Sequence, residues 1–418
     1  MDSALLKKII VNQAEYIANF QSGIKREVLS NVNRFIKQPK AIIISGIRRC
    51  GKSTFLRQVM DLLKNDYYYF NFEDEKLLDF TVADFAKLHE TFIELYGEKR
   101  YFFFDEIQNI PQWERFVRRM VDQGSILFVT GSNASLLSRE LGTKLTGRHF
   151  DIILYPFSFK EFLDFYGYKI GGKDFYLTAK RAKLKKYFQQ YLLLGGMPEY
   201  LKQKTEESLK RTYTDILYRD IIVRYGLTNE KILRELAFYL LSNTATYFTY
   251  NSLKNFLHLG SMNTAKKYVE YLENSYLFFI LDRYSPSLKI QQNSPKKIYC
   301  IDNGLINKLA FQFSKNQGKF LENVVFLELK RRSKEIFYYK EKRECDFIIR
   351  KGISIIGAIQ VTKNLNDSNK DREIEGLLEA MECFSLNEGL ILTLDEEDEF
   401  KFKKYKIKVM PVWQWLLE

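Results

Sequence analysis

The chain has 418 residues, of which 46% are hydrophobic and 15% aromatic, and a formal net charge of +13. This length exceeds one ordinary domain, so two or three are expected, and the apolar content excludes a disordered chain. The basic excess suits phosphate-bearing partners, nucleic acid first, but because it is spread along the chain rather than gathered in a tail, a plain solubility charge is an equal alternative.

Cys50, Cys300, Cys345 and Cys383 lie far apart with no C-x-x-C pair. That spacing argues against a zinc site or a disulfide framework and fits a reducing compartment. The opening residues MDSALLKKIIVNQ lack a signal-peptide apolar stretch, and no apolar run approaches bilayer length. The expectation is a soluble cytoplasmic protein with no membrane partner.

Residues 1–40 read as helix. AIIIS (41–45), YYYFNF (67–72), YFFFDE (101–106), ILFVTGS (126–132) and DIILYPFSF (151–159) read as strands. Their apolar, β-branched and aromatic runs suit buried parallel strands, and helical patterns such as STFLRQVMDLLKN and WERFVRRMVDQ alternate with them. Alternation of this kind predicts a parallel sheet covered on both faces. From about residue 160 to 290 the chain becomes helix after helix, ending in helix, turn, helix, strand, a winged-helix-like order. From about residue 318, helices alternate with short strands again. The expected domains are 1–160, 161–295 and 296–418.

GIRRCGKST fits G-x-x-x-x-G-K-[ST] through Gly46, Gly51, Lys52 and Ser53, with Thr54 next. A strand precedes it and a helix follows, as a phosphate-cradling loop requires. The glycines let successive N–H groups turn toward phosphates, and the helix N-terminus adds its positive end. Lys52 then reaches the outer phosphates of ATP, and Ser53 can ligate Mg²⁺. YFFFDE carries Asp105 to a strand's C-terminal edge, where it is expected to hold Mg²⁺ through water, with Glu106 as the base that orients the attacking water. The next strand ends in Thr130-Gly131-Ser132-Asn133; Ser132 or Asn133 is the candidate to feel the γ-phosphate, against an ordinary turn. Arg148, with Arg139 upstream, is the candidate cation opposite that phosphate, within the subunit or across an interface, against a plain surface charge.

Together GIRRCGKST, FFFDEIQ, LFVTGSNASLL, LTGR, YPFSFKEF, GGMPEY, DNGL, ENVVFLEL and ECDFII resemble the AAA-superfamily ATPases of bacteria and archaea that join a P-loop domain to a restriction-endonuclease-like domain. The resemblance covers nearly the whole chain. It implies an α/β fold: a parallel-sheet P-loop AAA-type domain, a helical and winged-helix middle, and a small α/β nuclease-like C-terminal domain.

In the middle part, the helix starting near Met262-Asn263-Thr264 carries Lys266, Lys267 and Tyr268. It can enter a DNA groove, or simply pack within the protein with its lysines solvated. The C-terminal part resembles the PD-(D/E)xK nuclease fold, which implies a Mg²⁺ site from Glu322, Asp346 (with Glu344 nearby) and an E-x-K strand. That strand reads Gln360-Val361-Thr362, with Lys363 one place late. A neutral amide replaces a charged ligand, so a nuclease-derived fold without cleavage is expected. Two readings follow: an ATPase acting on or with DNA, or a nucleotide-switched module that controls a protein partner or homo-oligomer. An active nuclease is a minor third.

Overall fold

The computed structural model describes residues 1–63, 66–133, 145, 147–310 and 317–418. It divides into two compact units, Met1–Tyr155 with Asn274–Tyr276, and Pro156–Glu273 with Leu277–Glu418.

The first unit is built on five parallel strands: β1 (Ala41–Ser45), β2 (Tyr67–Asn71), β3 (Tyr101–Asp105), β4 (Ile126–Gly131) and β5 (His149–Ile153). Their order across the sheet is β2-β3-β4-β1-β5. Parallel strands need helical crossovers, and the helices Ser3–Ala18, Lys52–Asp61, Asp84–Tyr96 and Trp113–Asp122 bury the strands' continuous apolar runs. Phe102, Phe103 and Phe104 on β3 are all fully buried, and Phe103 stacks on Phe128 of β4 at 4.7 Å. Each such ring contributes roughly 2–3 kcal/mol through removal from water. This is the α/β, parallel-sheet P-loop fold expected from the strand–helix alternation. Because β4 inserts between β1 and β3, the C-terminal ends of these three strands share one edge.

Two local expectations need correction. Residues 1–40 are not one helix: Ser3–Ala18 and Leu29–Phe35 are separated by an irregular stretch. The first helix already ends at Ala18, and within the irregular stretch Gly23 adopts the left-handed φ +57° beside Thr54, a conformation that a continuous helix does not contain. The strand expected over 151–159 spans His149–Ile153 instead. Pro156 stops it, and Ser158 opens the next helix, Phe159–Phe165. Ser158 Oγ accepts from Glu161 N at 3.1 Å and Ser158 N donates to Glu161 Oε2 at 3.0 Å, a capping box.

The second unit continues with the helices Thr178–Leu194, Pro198–Gln203 and Glu206–Asp215, the last running into a π-helical stretch Ile216–Val223. Then follow the helix Glu230–Ser242, strand β6 (Thr246–Phe248), the helices Tyr250–Phe256 and Met262–Asn274, and strands β7 (Phe278–Leu281) and β8 (Lys296–Cys300). The three strands pair antiparallel in the order β6-β8-β7.

Beyond the helices Asn303–Leu309 and Gln317–Arg331 lies a six-stranded mixed sheet: β9 (Glu335–Lys340), β10 (Glu344–Lys351), β11 (Ser354–Val361), β12 (Glu388–Thr393), β13 (Asp398–Phe402) and β14 (Tyr405–Pro411). Its order is β13-β14-β12-β11-β10-β9. The helix Lys370–Cys383 buries Ile374, Leu377, Ala380 and Met381 in the core of this sheet. Among the described residues no helix is long and apolar enough to cross a membrane.

Candidate nucleotide site

The site begins where β1 ends. Gly46 adopts φ +153°, and a Cβ there would lie 2.2 Å from the Leu154 carbonyl oxygen, so no side chain fits. Gly51 is left-handed at φ +97° and caps the helix Lys52–Asp61. Arg49 between them is also left-handed, and Cys50 N closes a turn on Ile47 O at 3.3 Å. The glycines therefore do here what their spacing predicts: they permit a tight loop that delivers a helix N-terminus to the sheet edge. Ser45, just before the loop, shares a 2.6 Å hydroxyl–hydroxyl hydrogen bond with Tyr276.

A residue with no signature in the motif holds the loop from behind. Arg26 is buried; its Nη1 donates to Cys50 O at 3.0 Å and its Nη2 to Tyr155 O at 2.6 Å. Only the folded chain brings residue 26 to the loop.

Lys52 is buried, and its ammonium donates to Gly46 O at 3.2 Å and Ile47 O at 3.3 Å. It also lies 3.8 Å from Glu106 Oε1. Asp105, at the end of β3, is buried, accepts from the hydroxyl of Thr130 on β4, and is hydrogen-bonded to Ser53. Tyr69 on β2 also reaches the Asp105 carboxylate. Burial, then the neighbouring Glu106 carboxylate, push Asp105 up to about 6, against the opposing pull of Ser53, Thr130 and Lys52. Glu106 takes the left-handed conformation at φ +52°, which costs a non-glycine residue roughly 1–2 kcal/mol. Thr130 Oγ1 accepts from Glu106 N at 2.9 Å and so ties that strained turn to β4. Gln108 donates to the Glu106 carboxylate.

Thus Gly46, Gly51, Lys52, Ser53, Asp105 and Glu106 converge on one edge of the sheet, with Thr54 half-buried in the same first helical turn. Ser132 and Asn133 are both buried immediately beyond β4, at the same edge. Thr130, two places before Ser132, touches Asp105 directly. A threonine is unremarkable in a β-branched strand, so spacing alone does not single it out.

Arg148 is not brought into this site. Its carbonyl accepts from Ala41 N at 2.9 Å, at the start of β1, so it stands at the sheet edge opposite the loop. Its guanidinium pairs with Asp122 at 2.7 Å. A residue just before a parallel strand lies at that strand's N-terminal end, away from the C-terminal edge where the loop sits; a role within the same subunit is therefore excluded. Arg139 lies outside the described residues.

In the second unit Glu322, Asp346 and Gln360 do come together, joined by Glu344 and by Lys297 of β8. The four cysteines are free, three of them buried.

Residues 38–163 match the AAA domain family, and residues 185–316 match a domain of unknown function. An uncharacterized protein of Methanocaldococcus jannaschii is 35% identical over 436 residues, covering 99% of this chain and 97% of that protein. An uncharacterized protein of Haemophilus influenzae is 32% identical over 348 residues, covering 78% and 84%. Among solved structures, Orc1 of Aeropyrum pernix in complex with DNA is 13% identical with a TM-score of 0.31, covering 68% of this chain and 92% of that one. AMPPCP-bound DnaA from Aquifex aeolicus is 14% identical with a TM-score of 0.27, covering 62% and 91%. The chain belongs to one family with the Methanocaldococcus jannaschii and Haemophilus influenzae proteins, and its residues 38–163 form an AAA domain.

Proposed function

We propose that this protein binds ATP with Mg²⁺ at the Gly46–Thr54 loop, hydrolyses it, and acts on or with nucleic acid. The observation that carries the reading is the convergence of Lys52, Ser53, Asp105 and Glu106 on one strand edge beneath a loop that excludes side chains at Gly46. The donor set fits a metal–triphosphate: an ammonium for the outer phosphates, and a hydroxyl and a carboxylate already in contact for Mg²⁺. Bound Mg²⁺ would supply Lewis-acid stabilisation of phosphate charge. Lys52 would exchange its two carbonyl partners for phosphate oxygens. Glu106 would orient the attacking water and accept its proton. Ser132 or Asn133 would sense the γ-phosphate. Arg148, placed at the far edge, is assigned a role only toward a nucleotide held by another subunit.

Within the second unit we read a helical and winged-helix part over 161–295 and an α/β part over 296–418. The order helix, β6, helix, helix, β7 supports the winged-helix reading, and β8, the first strand of the following part, completes the β6-β8-β7 sheet. Lys266 and Lys267 are exposed on the Met262–Asn274 helix, where they could meet phosphates, and Asn263 is exposed at its start. The exposed Phe256, at the end of the preceding helix, and Met262, at the start of this one, favour the second reading, a nucleotide-switched contact with a protein partner or a second copy.

The nucleotide site is tested by titrating a fluorescent ATP analogue with Mg²⁺ into the wild type and Lys52→Ala. Submicromolar to micromolar binding that Lys52→Ala weakens at least about 100-fold is expected, because an ion pair to phosphate in a partly dry site is lost. Equal affinities would refute the site. A change of oligomeric size with ATP, together with no binding of DNA at low salt, would select the protein-partner reading.

A further inference from the structure

The carboxylate cluster of the second unit sits at the meeting of β8, β10, β11 and the helix Gln317–Arg331. Glu322 comes from the helix, Glu344 and Asp346 from β10, and Gln360 from β11. This is where the PD-(D/E)xK resemblance would put a divalent ion. The residues present do not fit one. Lys297 Nζ lies 2.9 Å from Asp346 Oδ1, 3.0 Å from Glu344 Oε1 and 3.1 Å from Glu322 Oε1. A divalent cation needs its oxygen ligands at about 2.0–2.6 Å around a common centre. Here the common centre of the three carboxylates is already a nitrogen atom carrying positive charge.

The remaining groups hold that arrangement closed. The Lys297 side chain is 4% exposed, its stem fixed in the middle strand of the β6-β8-β7 sheet and its ammonium 5.3 Å from the centre of the Tyr247 ring. Tyr299 OH donates to Glu322 Oε1 at 2.7 Å, on the oxygen that also meets Lys297. Val361 N donates to Asp346 Oδ2 at 3.0 Å, occupying that carboxylate's second oxygen. Gln360 offers nothing to a metal: its Oε1 accepts from Asp346 N at 3.1 Å, and its Nε2 donates to Glu373 Oε2 at 2.5 Å. Lys363 is exposed. Among the described residues, no group of three or more His, Cys, Asp or Glu side chains is disposed to hold a metal ion.

Charges behave accordingly. Burial alone would lower Lys297, but Asp346 and Glu322 more than reverse this and hold it well above the usual lysine range. Burial would raise Glu344, and Lys297 brings it below the ordinary glutamate value instead. Glu322 is pushed up to about 7, mainly by burial.

We infer that Lys297 is a resident cation that takes the place of a divalent metal in this cluster, so the cluster is a closed structural site, and that removing the Lys297 charge opens it to a divalent ion. Removing one partner of a buried ion cluster leaves uncompensated charge. Three carboxylates without their ammonium must take up protons or another cation, and Mn²⁺ offers the stronger compensation. None of these groups belongs to the nucleotide site.

The test uses the full chain without nucleotide and Mn²⁺ as the probe, followed by electron paramagnetic resonance and by thermal melting. The wild type and Asp346→Asn are expected to bind the same amount of Mn²⁺ at millimolar metal. Lys297→Met is expected to bind one further equivalent per chain and to melt lower than the wild type without Mn²⁺, recovering when Mn²⁺ is added, as ligand binding to the native state requires. Lys297→Met/Asp346→Asn should lose that extra equivalent. Mn²⁺ binding by the wild type that Asp346→Asn abolishes would overturn the inference, since Lys297 would then coexist with a metal. A folded Lys297→Met that gains no Mn²⁺ would overturn it equally. Should Lys297→Met not fold, the comparison of the wild type with Asp346→Asn decides alone.

Discussion

Asp105 is buried among Ser53, Thr130 and Tyr69, and its position is costly as well as useful. Its carboxyl rises from an ordinary 3.8 to about 6, so between those values the folded chain holds a proton that the unfolded chain releases. Stability therefore falls as pH rises through this window, and the penalty is fully present at neutral pH. Asp105→Asn keeps the shape and removes the charge. It is expected to raise stability near pH 7 by on the order of 2–3 kcal/mol and by little near pH 4, since each tenfold change in proton affinity is worth about 1.4 kcal/mol. The same variant should lose Mg²⁺-dependent nucleotide binding. Urea denaturation at the two pH values checks the first part, and an equal gain at both would contradict it. Lys52, Ser53 and Asp105 are legible in the sequence because a short motif and a strand end fix their neighbourhoods. Arg26, Tyr69 and Thr130 are not: each reaches the site from another element, and no spacing records that. Arg148 reads as a candidate by charge, but charge carries no information about which end of a parallel strand faces the loop.

At the scale of elements, two stretches that carry the family resemblance prove to be joints. Asp302, the N-cap of the helix Asn303–Leu309, accepts from Gly304 N at 2.8 Å and from Gly196 N at 2.6 Å, so DNGL and GGMPEY are fastened by one carboxylate. Asn303 extends the joint by donating to Leu192 O and Phe320 O, both at 3.0 Å. Asp302→Ala is expected to cost on the order of 3 kcal/mol, combining a lost cap with buried N–H groups left unpaired. A change under about 0.5 kcal/mol in chemical denaturation would contradict this account. Gly46→Ala should prevent the nucleotide loop from closing, because its Cβ would meet a backbone oxygen that cannot turn away. Retained ATP affinity in that variant would count against the loop geometry. The apolar runs of β1 to β4 announce themselves, whereas β8 and β13 do not. β8 begins Lys296-Lys297, which reads as solvated although Asp282 and the carboxylate cluster pair both side chains. β13 lies at the sheet edge and is mostly exposed, so it lacks the hydrophobic face that patterning detects. Strand order is likewise illegible, since any alternation of strands and helices permits several orders.

At the scale of the whole molecule, the proposed function joins the AAA domain to the basic balance of +13: nucleotide chemistry is assigned to the first unit and contact with a phosphate-bearing polymer to the second. DNA affinity should then fall steeply from low to moderate salt, as released counterions return to the backbone, and Lys266→Ala/Lys267→Ala should flatten the log–log slope by up to about two. A slope unchanged in the double variant would move the interface elsewhere. The claim on which the account rests is hydrolysis. Phosphate release from ATP and Mg²⁺ by the full chain, wild type against Glu106→Gln, measures it directly. The account predicts turnover by the wild type and a loss of at least about 100-fold in Glu106→Gln with ATP affinity kept, the size expected when a general base is removed. No hydrolysis by the wild type, with or without DNA, or equal rates in both proteins, would contradict it.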